Sequence, residues 1–159
     1  MNIRPATLAD LPTMLALFAN ARSFMWQTGN TTQWTENYPS EALLRDDIQQ
    51  GTSYVCLSDH VIQGTFVLLC TPDPTYANIE GAWCNDLPYG TLHRIASSGQ
   101  VPKLTDAIVA WASEQMPSLR GDTHEDNIPM RNAFERNGFQ YCGTIICANG
   151  TPRRAYHRP

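Results

Sequence analysis

Apolar residues recur at intervals of three and four along four segments of the chain, which is the period of an amphipathic helix. The first predicted helix runs from about Thr7 to Met25, and Thr7 has the capping-box spacing to Asp10. A second helix is capped by Ser40 and ends at Gly51, a third runs to about Met116, and a fourth covers about Ile128–Asn137.

Segments rich in β-branched and aromatic residues lie between these helices. They predict strands over 2–4, 53–57, 61–69, 91–97, 119–123, 139–147 and 153–156. Asn149-Gly150 indicates a two-residue turn between the last two strands. Along the strand over 91–97, strict alternation would place Leu92, Arg94 and Ala96 on one face and His93, Ile95 and Ser97 on the other.

The order of these elements is β α α β β β α β α β β, without a repeat or a linker. The strand–helix–strand–helix order over 91–137 requires at least one parallel strand pair with a right-handed crossover. We therefore predict a single α/β domain over 1–159, with a central, mostly antiparallel sheet and about four flanking helices. A phosphate-bearing ligand would fit where the crossover helix begins, because free N–H groups point outwards there.

The net charge of the chain limits the classes of molecule that it is expected to bind. The chain has 11 basic and 15 acidic residues, a net charge of −4, which argues against nucleic acid as the main partner. Residues 1–119 hold 5 basic and 11 acidic residues, so the acidic excess lies in this part of the chain. Lys103 is the only lysine among the basic residues.

Five cysteines without a CxxC spacing predict neither disulfides nor a zinc site, and we expect no bound metal and a reducing cytoplasm. Uninterrupted apolar runs such as Phe66–Cys70 are far too short to span a membrane. We also expect no leader segment, because no basic stretch precedes an apolar run at the N-terminus.

Three motifs, together with the element order, resemble the GNAT superfamily of acyl-CoA-dependent N-acyltransferases. The motifs are Leu92–Ser97, Asp122–Asn127 and Asn137–Phe139, and the likeness runs from about Ile3 to Tyr156. Small bacterial members of undefined substrate share the surroundings of Gln33-Trp34 and Pro88-Tyr89-Gly90. The resemblance implies acetyl-CoA as the acyl donor and a primary amine of a small molecule or peptide as the acceptor.

The resemblance also implies which residues hold the donor. They are Ile95, Ala96 and Ser97 in the strand, Gln100, Val101, Lys103, Leu104 and Thr105 in the following loop, and Asn127. In the family this loop reads Gln/Arg-x-x-Gly-x-Gly/Ala, but here Lys103 and Thr105 fill the two glycine positions. Lys103 either contributes a positive charge that binds the phosphates or is a surface residue without a role in binding. Asn127 is also expected to cap the fourth helix.

The matching position for the family's general acid, often a tyrosine, is Phe134, which has no proton to donate. A base is needed because an amine must lose a proton before it attacks a thioester. His93 and Glu80 are the candidates. The alternatives are a packed or solvent-facing histidine for His93 and a solvated loop carboxylate for Glu80.

Aromatic and amide side chains in the two long loops are candidates for the acceptor pocket: Trp26, Asn30, Gln33, Trp34, Trp83 and Tyr89. About half of the loop aromatics are expected to cover the core instead. We expect a small, partly apolar amine as acceptor. Arg153 and Arg154 are predicted to form a solvated or carboxylate-paired surface.

The sequence therefore predicts a cytoplasmic N-acetyltransferase in which the amine attacks acetyl-CoA directly in a ternary complex. The altered loop and Phe134 support an alternative: a binding or regulatory module that has lost catalysis. The exposed edge expected for the last hairpin favours a homodimer.

Overall fold

Eight strands and four helices are present in the computed structural model, which describes residues 1–159. The strands are β1 (Asn2–Pro5), β2 (Ser53–Ser58), β3 (Val61–Leu69), β4 (Glu80–Gly81), β5 (Gly90–Ser97), β6 (Leu119–Thr123), β7 (Gln140–Ile146) and β8 (Pro152–Arg158). The helices are α1 (Leu11–Gln27), α2 (Glu41–Gln49), α3 (Leu104–Gln115) and α4 (Ile128–Arg136). Every predicted helix and strand forms, and the two-residue strand β4 is the element that the sequence pattern missed.

All the strands belong to one mixed sheet in the order β1-β2-β3-β5-β6-β8-β7-β4. β5 and β6 are parallel, and every other neighbouring pair is antiparallel. The predicted α/β class with one parallel pair is therefore confirmed. The predicted exposed edge is wrong for β8, because β8 lies between β6 and β7 and the edge strands are β1 and β4.

The last hairpin also has a longer connection than the sequence indicates. Ile146 pairs with Pro152, so residues 147–151 form the loop instead of a two-residue turn. The Asn149 side chain accepts hydrogen bonds from the N–H and hydroxyl of Thr151, at 3.1 and 2.6 Å. These local bonds stabilise a wider loop, which a tight Asn-Gly turn would not allow.

The core is divided between the two faces of the sheet. On one face α3 and α4 bury a cluster that includes Ile108 and Phe134, and on the other face α1 and α2 bury one that includes Met14 and Leu44. Gly121 permits the first arrangement, since a Cβ there would lie 2.7 Å from Cζ of Phe134. No helix is long and apolar enough to cross a membrane.

A β-bulge interrupts β5. Val67 on β3 pairs with His93 and Thr65 pairs with Ala96, so Arg94 and Ile95 on β5 together face the single residue Phe66 on β3. Arg94 has φ of 50°, in the left-handed region that is unusual for a residue with a Cβ.

The bulge shifts the alternation of side chains by one residue. Leu92 belongs to the cluster on the α3 side, and Ala96 belongs to the cluster on the α1 side. The predicted common face for Leu92 and Ala96 is therefore wrong.

β5 and β6 separate soon after they meet. Their pairing is limited to Gly90 with Leu119 and Thr91 with Arg120, although both strands continue towards their carboxyl ends. Because the strands diverge there, a cleft opens through the sheet beside the β5 bulge and the start of α4.

Candidate active site

The cleft between the diverging strands has a volume of about 840 Å³. Residues 92–95 of β5 line one side, residues 122 and 123 of β6 line the other, and α4 contributes Asn127, Met130 and Phe134. The loops over 33–38, 71–75 and 147–149 complete the wall, together with Arg153 on β8. The parallel pair, the bulge and the two long loops therefore meet at one site.

His93 is paired with a buried carboxylate in this cleft. Its Nε2 lies 2.7 Å from Oδ2 of Asp73. Burial opposes the charge of Asp73, but hydrogen bonds from His93 and Thr75 outweigh burial and lower the pKa of Asp73 to about 2. An ionised carboxylate only accepts hydrogen bonds, so Nε2 carries the hydrogen. In the tautomer with its hydrogen on Nε2, the ring has Nδ1 free of protein partners and able to accept a proton.

The loop after β3 fixes the position of Asp73. Oδ1 of Asp73 accepts hydrogen bonds from the N–H and the hydroxyl of Thr75, at 2.8 and 2.7 Å. The N–H of Asp73 donates to the Tyr89 hydroxyl at 3.1 Å. Asp73 is thus restrained from three sides, which orients the His93 ring.

The side chain of Arg94, a residue of the bulge, forms a bidentate ion pair. Its Nε and Nη2 donate to the two carboxylate oxygens of Asp47 at 2.9 and 2.8 Å, and Nη1 lies 3.4 Å from the Tyr38 hydroxyl. Planar bidentate pairs of this kind are strong and directional. The pair therefore ties the strained backbone of the bulge to α2.

Tyr76 links the site to β6. Its hydroxyl donates to Oδ1 of Asp122 at 2.6 Å, and its ring lies against His93 with centroids 6.3 Å apart. Burial, with the Asp122 carboxylate close by, raises the pKa of Tyr76 well above its ordinary value. The phenol therefore remains a hydrogen-bond donor, and Asp122 keeps its position at the cleft wall.

Gln33 organises the loop on the acceptor side. Its Oε1 is within 2.8–3.3 Å of donors on Asn30, Thr123, His124 and Asn127. The Asn127 side chain also accepts from the N–H of Met130 at 3.2 Å, which confirms the predicted cap of α4. Gln33 and Asn127 line the cleft, and Asn30 supports Gln33 from a buried position.

The predicted aromatic residues divide into two groups. Trp34 lines the cleft, and the indole N–H of Trp26 donates to its carbonyl at 3.2 Å. Trp83 and Tyr89 lie outside the cleft lining and enclose the guanidinium of Arg120, with 4.1 and 3.8 Å between its Cζ and the two ring centroids. Trp83 and Tyr89 thus have a cation–π role that the sequence analysis did not anticipate.

The predicted donor loop lies at the start of α3. Lys103 is exposed and has φ of 57°, so it adopts the left-handed conformation for which glycine is usually selected. The hydroxyl of Ser97 accepts from the N–H of Gly99 at 3.1 Å, and the N–H of Gln100 is bound to the Ser98 hydroxyl at 3.1 Å.

The remaining predicted donor residues occupy different environments. Ile95 lines the cleft, Ala96 is buried against the α1 side, and Leu104 is buried against β3. Val101 and Thr105 are half-buried beside the start of α3.

Glu80 and Phe134 occupy opposite environments. Glu80 is exposed on β4 at the edge of the sheet, outside the residues that line the cleft. Phe134 is almost fully buried, and its ring stacks on Tyr156 with 5.0 Å between centroids. Phe134 therefore forms an apolar part of the cleft floor.

A separate polar cluster lies near Arg120. Sγ of Cys84 is 3.9 Å from Sγ of Cys142, and burial raises the pKa of Cys142 to about 11, with Cys84 adding to the effect. Nδ1 of His157 accepts from the N–H of Cys84 at 3.1 Å, and Nε2 lies 2.9 Å from the Ser118 hydroxyl. These contacts fix a neutral His157 with its hydrogen on Nε2. Burial, followed by the charge of Arg120, lowers the pKa of His157 to about 4.

Comparisons of the sequence and the structure with known proteins show the family of this chain. The model of the acetyltransferase (GNAT) domain matches residues 1–140. A crystal structure of a GNAT-family acetyltransferase from Streptococcus agalactiae is 30% identical, with a TM-score of 0.90, and covers 99% of this chain and 94% of that chain. No match is found among the curated proteins.

Two more distant structures share the fold. A ribosomal-protein-alanine N-acetyltransferase from Brucella melitensis is 18% identical, with a TM-score of 0.66 and coverage of 99% of this chain and 98% of that chain. An aminoglycoside acetyltransferase in complex with coenzyme A and kanamycin is 16% identical, with a TM-score of 0.67 and coverage of 98% and 92%. At these identities the likeness shows the fold alone.

Proposed function

The chain belongs to the GNAT acetyltransferase family, and we propose that it transfers an acetyl group from acetyl-CoA to a primary amine bound in the β5–β6 cleft. The observation that carries this proposal is the Asp73–His93 pair, which presents a free imidazole nitrogen inside that cleft. Three of the related structures hold coenzyme A or acetyl-CoA, which supports acetyl-CoA as the donor.

The donor side of the cleft fits acetyl-CoA in its chemistry. α3 begins at the carboxyl end of β5, where its first N–H groups face outwards and favour an anion. Lys103, at the N-cap of α3, adds the positive charge, and the backbone of Ile95, Ala96 and Ser97 offers polar groups to an extended arm. Acetyl-CoA would supply a thioester, whose carbonyl carbon accepts the amine.

Arg94 and Ile95 would polarise that thioester carbonyl. Neither residue has a one-to-one partner on β3 or any partner on β6, so the regular ladder is interrupted beside the cleft at these two residues. Fixed N–H groups stabilise a developing negative charge on oxygen without reorganisation. The Arg94–Asp47 ion pair keeps the bulge in this conformation.

His93 would take the proton that the amine must lose. Nδ1 is the acceptor, because Nε2 is already bonded to Asp73, and the Asp73 carboxylate stabilises the positive ring that results. Phe134 offers no acid for the leaving thiolate, but a thiol with a pKa near 8.5 is a tolerable leaving group. We therefore expect the rate of acetyl transfer to depend more on the general base than on a general acid.

Substitution of the base tests this assignment. We expect His93→Ala to lower kcat/KM by about a hundredfold or more, because no group then accepts the proton. Asp73→Asn should lower kcat/KM by about tenfold, since the ring loses its charged partner. His60→Ala, in an exposed hairpin, is the control.

The same kinetic series decides between the two sequence-predicted bases. Glu80→Gln should keep most of the rate, because Glu80 lies at the sheet edge. Full activity in His93→Ala together with a large loss in Glu80→Gln would assign the base to Glu80 and contradict this account.

We also propose a cytoplasmic location and a homodimer, as the sequence analysis expected. All five cysteines are free thiols, which suits a reducing compartment. β7 is covered by β4 over two residues only, and Tyr141 and Ile146 on β7 are about half exposed. This partly open strand is the surface through which we expect two copies to pair.

A further inference from the structure

A buried arginine without an acidic partner lines the cleft. Arg153 is only 5% exposed, and no carboxylate lies within ion-pair distance of it. Its guanidinium donates to the hydroxyl of Thr151 at 2.7 Å and to the carbonyls of Pro152 and Gln33 at 3.0 and 3.3 Å. The sequence analysis predicted a solvated or carboxylate-paired arginine at this position, and that prediction is wrong.

These contacts leave part of the guanidinium free for a ligand. A guanidinium has five N–H groups, and three of them are engaged by the neutral oxygens of the protein. A buried charge is costly to leave unpaired, so the remaining donors favour an anion inside the cleft. A planar carboxylate matches the fork of an arginine side chain.

An acidic residue faces the same part of the cleft. Asp122 on β6 is directly opposite Ala155 on β8, and Arg153 is two residues from Ala155 along that strand. Such diagonal neighbours share a sheet face and lie roughly 7–8 Å apart. Asp122 accepts from the Tyr76 hydroxyl but has no cationic partner.

The other charged residues at this site already have partners within the protein. Arg94 is paired with Asp47. Both carboxylate oxygens of Asp73 accept hydrogen bonds, from Thr75 and His93, whereas only Oδ1 of Asp122 has a partner. Arg153 and Asp122 are therefore the charged residues of the cleft wall that a ligand is left to complement. Their separation suits a molecule whose positive and negative groups are a few bonds apart.

We propose that the acceptor is an amino acid, with its carboxylate on Arg153 and its amine between Asp122 and His93; this inference rests on the proposed function. Asp122 attracts the ammonium form, and His93 removes a proton before transfer. Tyr76 contacts both residues and keeps them on one side of the cleft. The proposal makes Arg153 a specificity-determining residue for a free carboxylate.

Matched pairs of acceptors test the role of Arg153. A panel of small L-amino acids and their carboxamides is assayed for acetyl transfer, and binding of each to the protein saturated with coenzyme A is measured by calorimetry. We expect the free acids to be preferred by roughly tenfold to a hundredfold in kcat/KM and in Kd, because a charge-assisted bond is lost in the carboxamide.

Substitutions at and beside Arg153 make the test specific. Arg153→Gln should remove the preference for the acid, and Arg153→Lys should retain part of it, since lysine keeps the charge without the fork. Arg154→Gln is the matched control, because Arg154 stacks on Tyr141, with 4.0 Å from Cζ to the ring centroid, and does not line the cleft. Thermal unfolding of each variant checks that the fold is kept.

The outcomes separate the inference from the proposed function. Equal values for acids and carboxamides, no saturable binding of any acid, or a preference that persists in Arg153→Gln overturns the inference. Acetylation of simple amines without a preference for the acid would leave the proposed function intact. Selective binding of acids without any acetyl transfer would support the Arg153 site and contradict the enzyme activity.

Discussion

At the scale of single residues, the site depends on pairs that are distant in sequence. Asp73 and His93 are 20 residues apart, and Arg94 and Asp47 are 47 apart. The sequence analysis proposed His93 as a candidate base, because it is a histidine in the strand beside the expected acyl group. It could not identify Asp73, since a loop aspartate between two prolines is also an ordinary turn residue.

A buried histidine outside the cleft makes the stability of the protein depend on pH. His157 is fully buried, and its pKa of about 4 lies below the usual 6.5. Between these values the unfolded chain binds the proton and the folded protein does not, so stability falls as the pH falls. The loss is about 1.4 kcal/mol per pH unit, or about 2 kcal/mol between pH 6.5 and pH 5.

Urea unfolding at pH 7 and pH 5 checks this dependence. We expect His157→Gln to be less stable than the wild type at pH 7, because two buried hydrogen bonds change, but to lose about 2 kcal/mol less on acidification. His60→Gln, at an exposed position, should keep the wild-type slope. A His157→Gln variant with the wild-type dependence on pH would contradict the buried neutral state.

At the scale of secondary structure, two residues in the left-handed conformation mark irregular points in the elements near the cleft. Arg94 makes the bulge of β5, and Lys103 begins α3. The periodicity of the sequence predicted both elements but neither irregularity, because alternation assumes an uninterrupted ladder. Lys103 has φ of 57°, a backbone conformation for which glycine is usually selected.

The strain at Lys103 leads to a measurable difference between two substitutions. A residue with a Cβ in the left-handed region costs about 1–2 kcal/mol, and glycine avoids this cost. We expect Lys103→Gly to unfold with a free energy about 1 kcal/mol higher than Lys103→Ala, in which the strain remains. Urea denaturation of both variants provides the comparison.

Gly99 offers a matched control for the backbone effect. It has φ of 78°, and a Cβ there would meet nothing within 4 Å, so Gly99→Ala tests the conformational cost alone. We expect that variant to lose about 1 kcal/mol. Equal stability of Lys103→Gly and Lys103→Ala, with a normal loss at Gly99, would show that Lys103 carries no such strain.

At the scale of the whole molecule, the element order of the sequence was sufficient to predict the mixed sheet. The helix caps at Ser40 and Asn127 depend only on neighbouring residues, so they could be predicted from the sequence. The position of β4 and the burial of Arg153 depend on strand pairing across the sheet, which no local pattern specifies. The acidic net charge of −4 argued against nucleic acid as the main partner but could not reveal a cleft that contains both signs of charge.

The most direct test of the central claim is amine-dependent release of thiol from acetyl-CoA. The protein is mixed with acetyl-CoA and each member of an amine panel, free thiol is followed over time, and the acetylated amine is identified by mass. This account predicts one coenzyme A released for each amine acetylated, with a rate at least about a hundredfold lower in His93→Ala. Binding of acetyl-CoA without amine-dependent thiol release across the whole panel would contradict it and indicate a binding module instead.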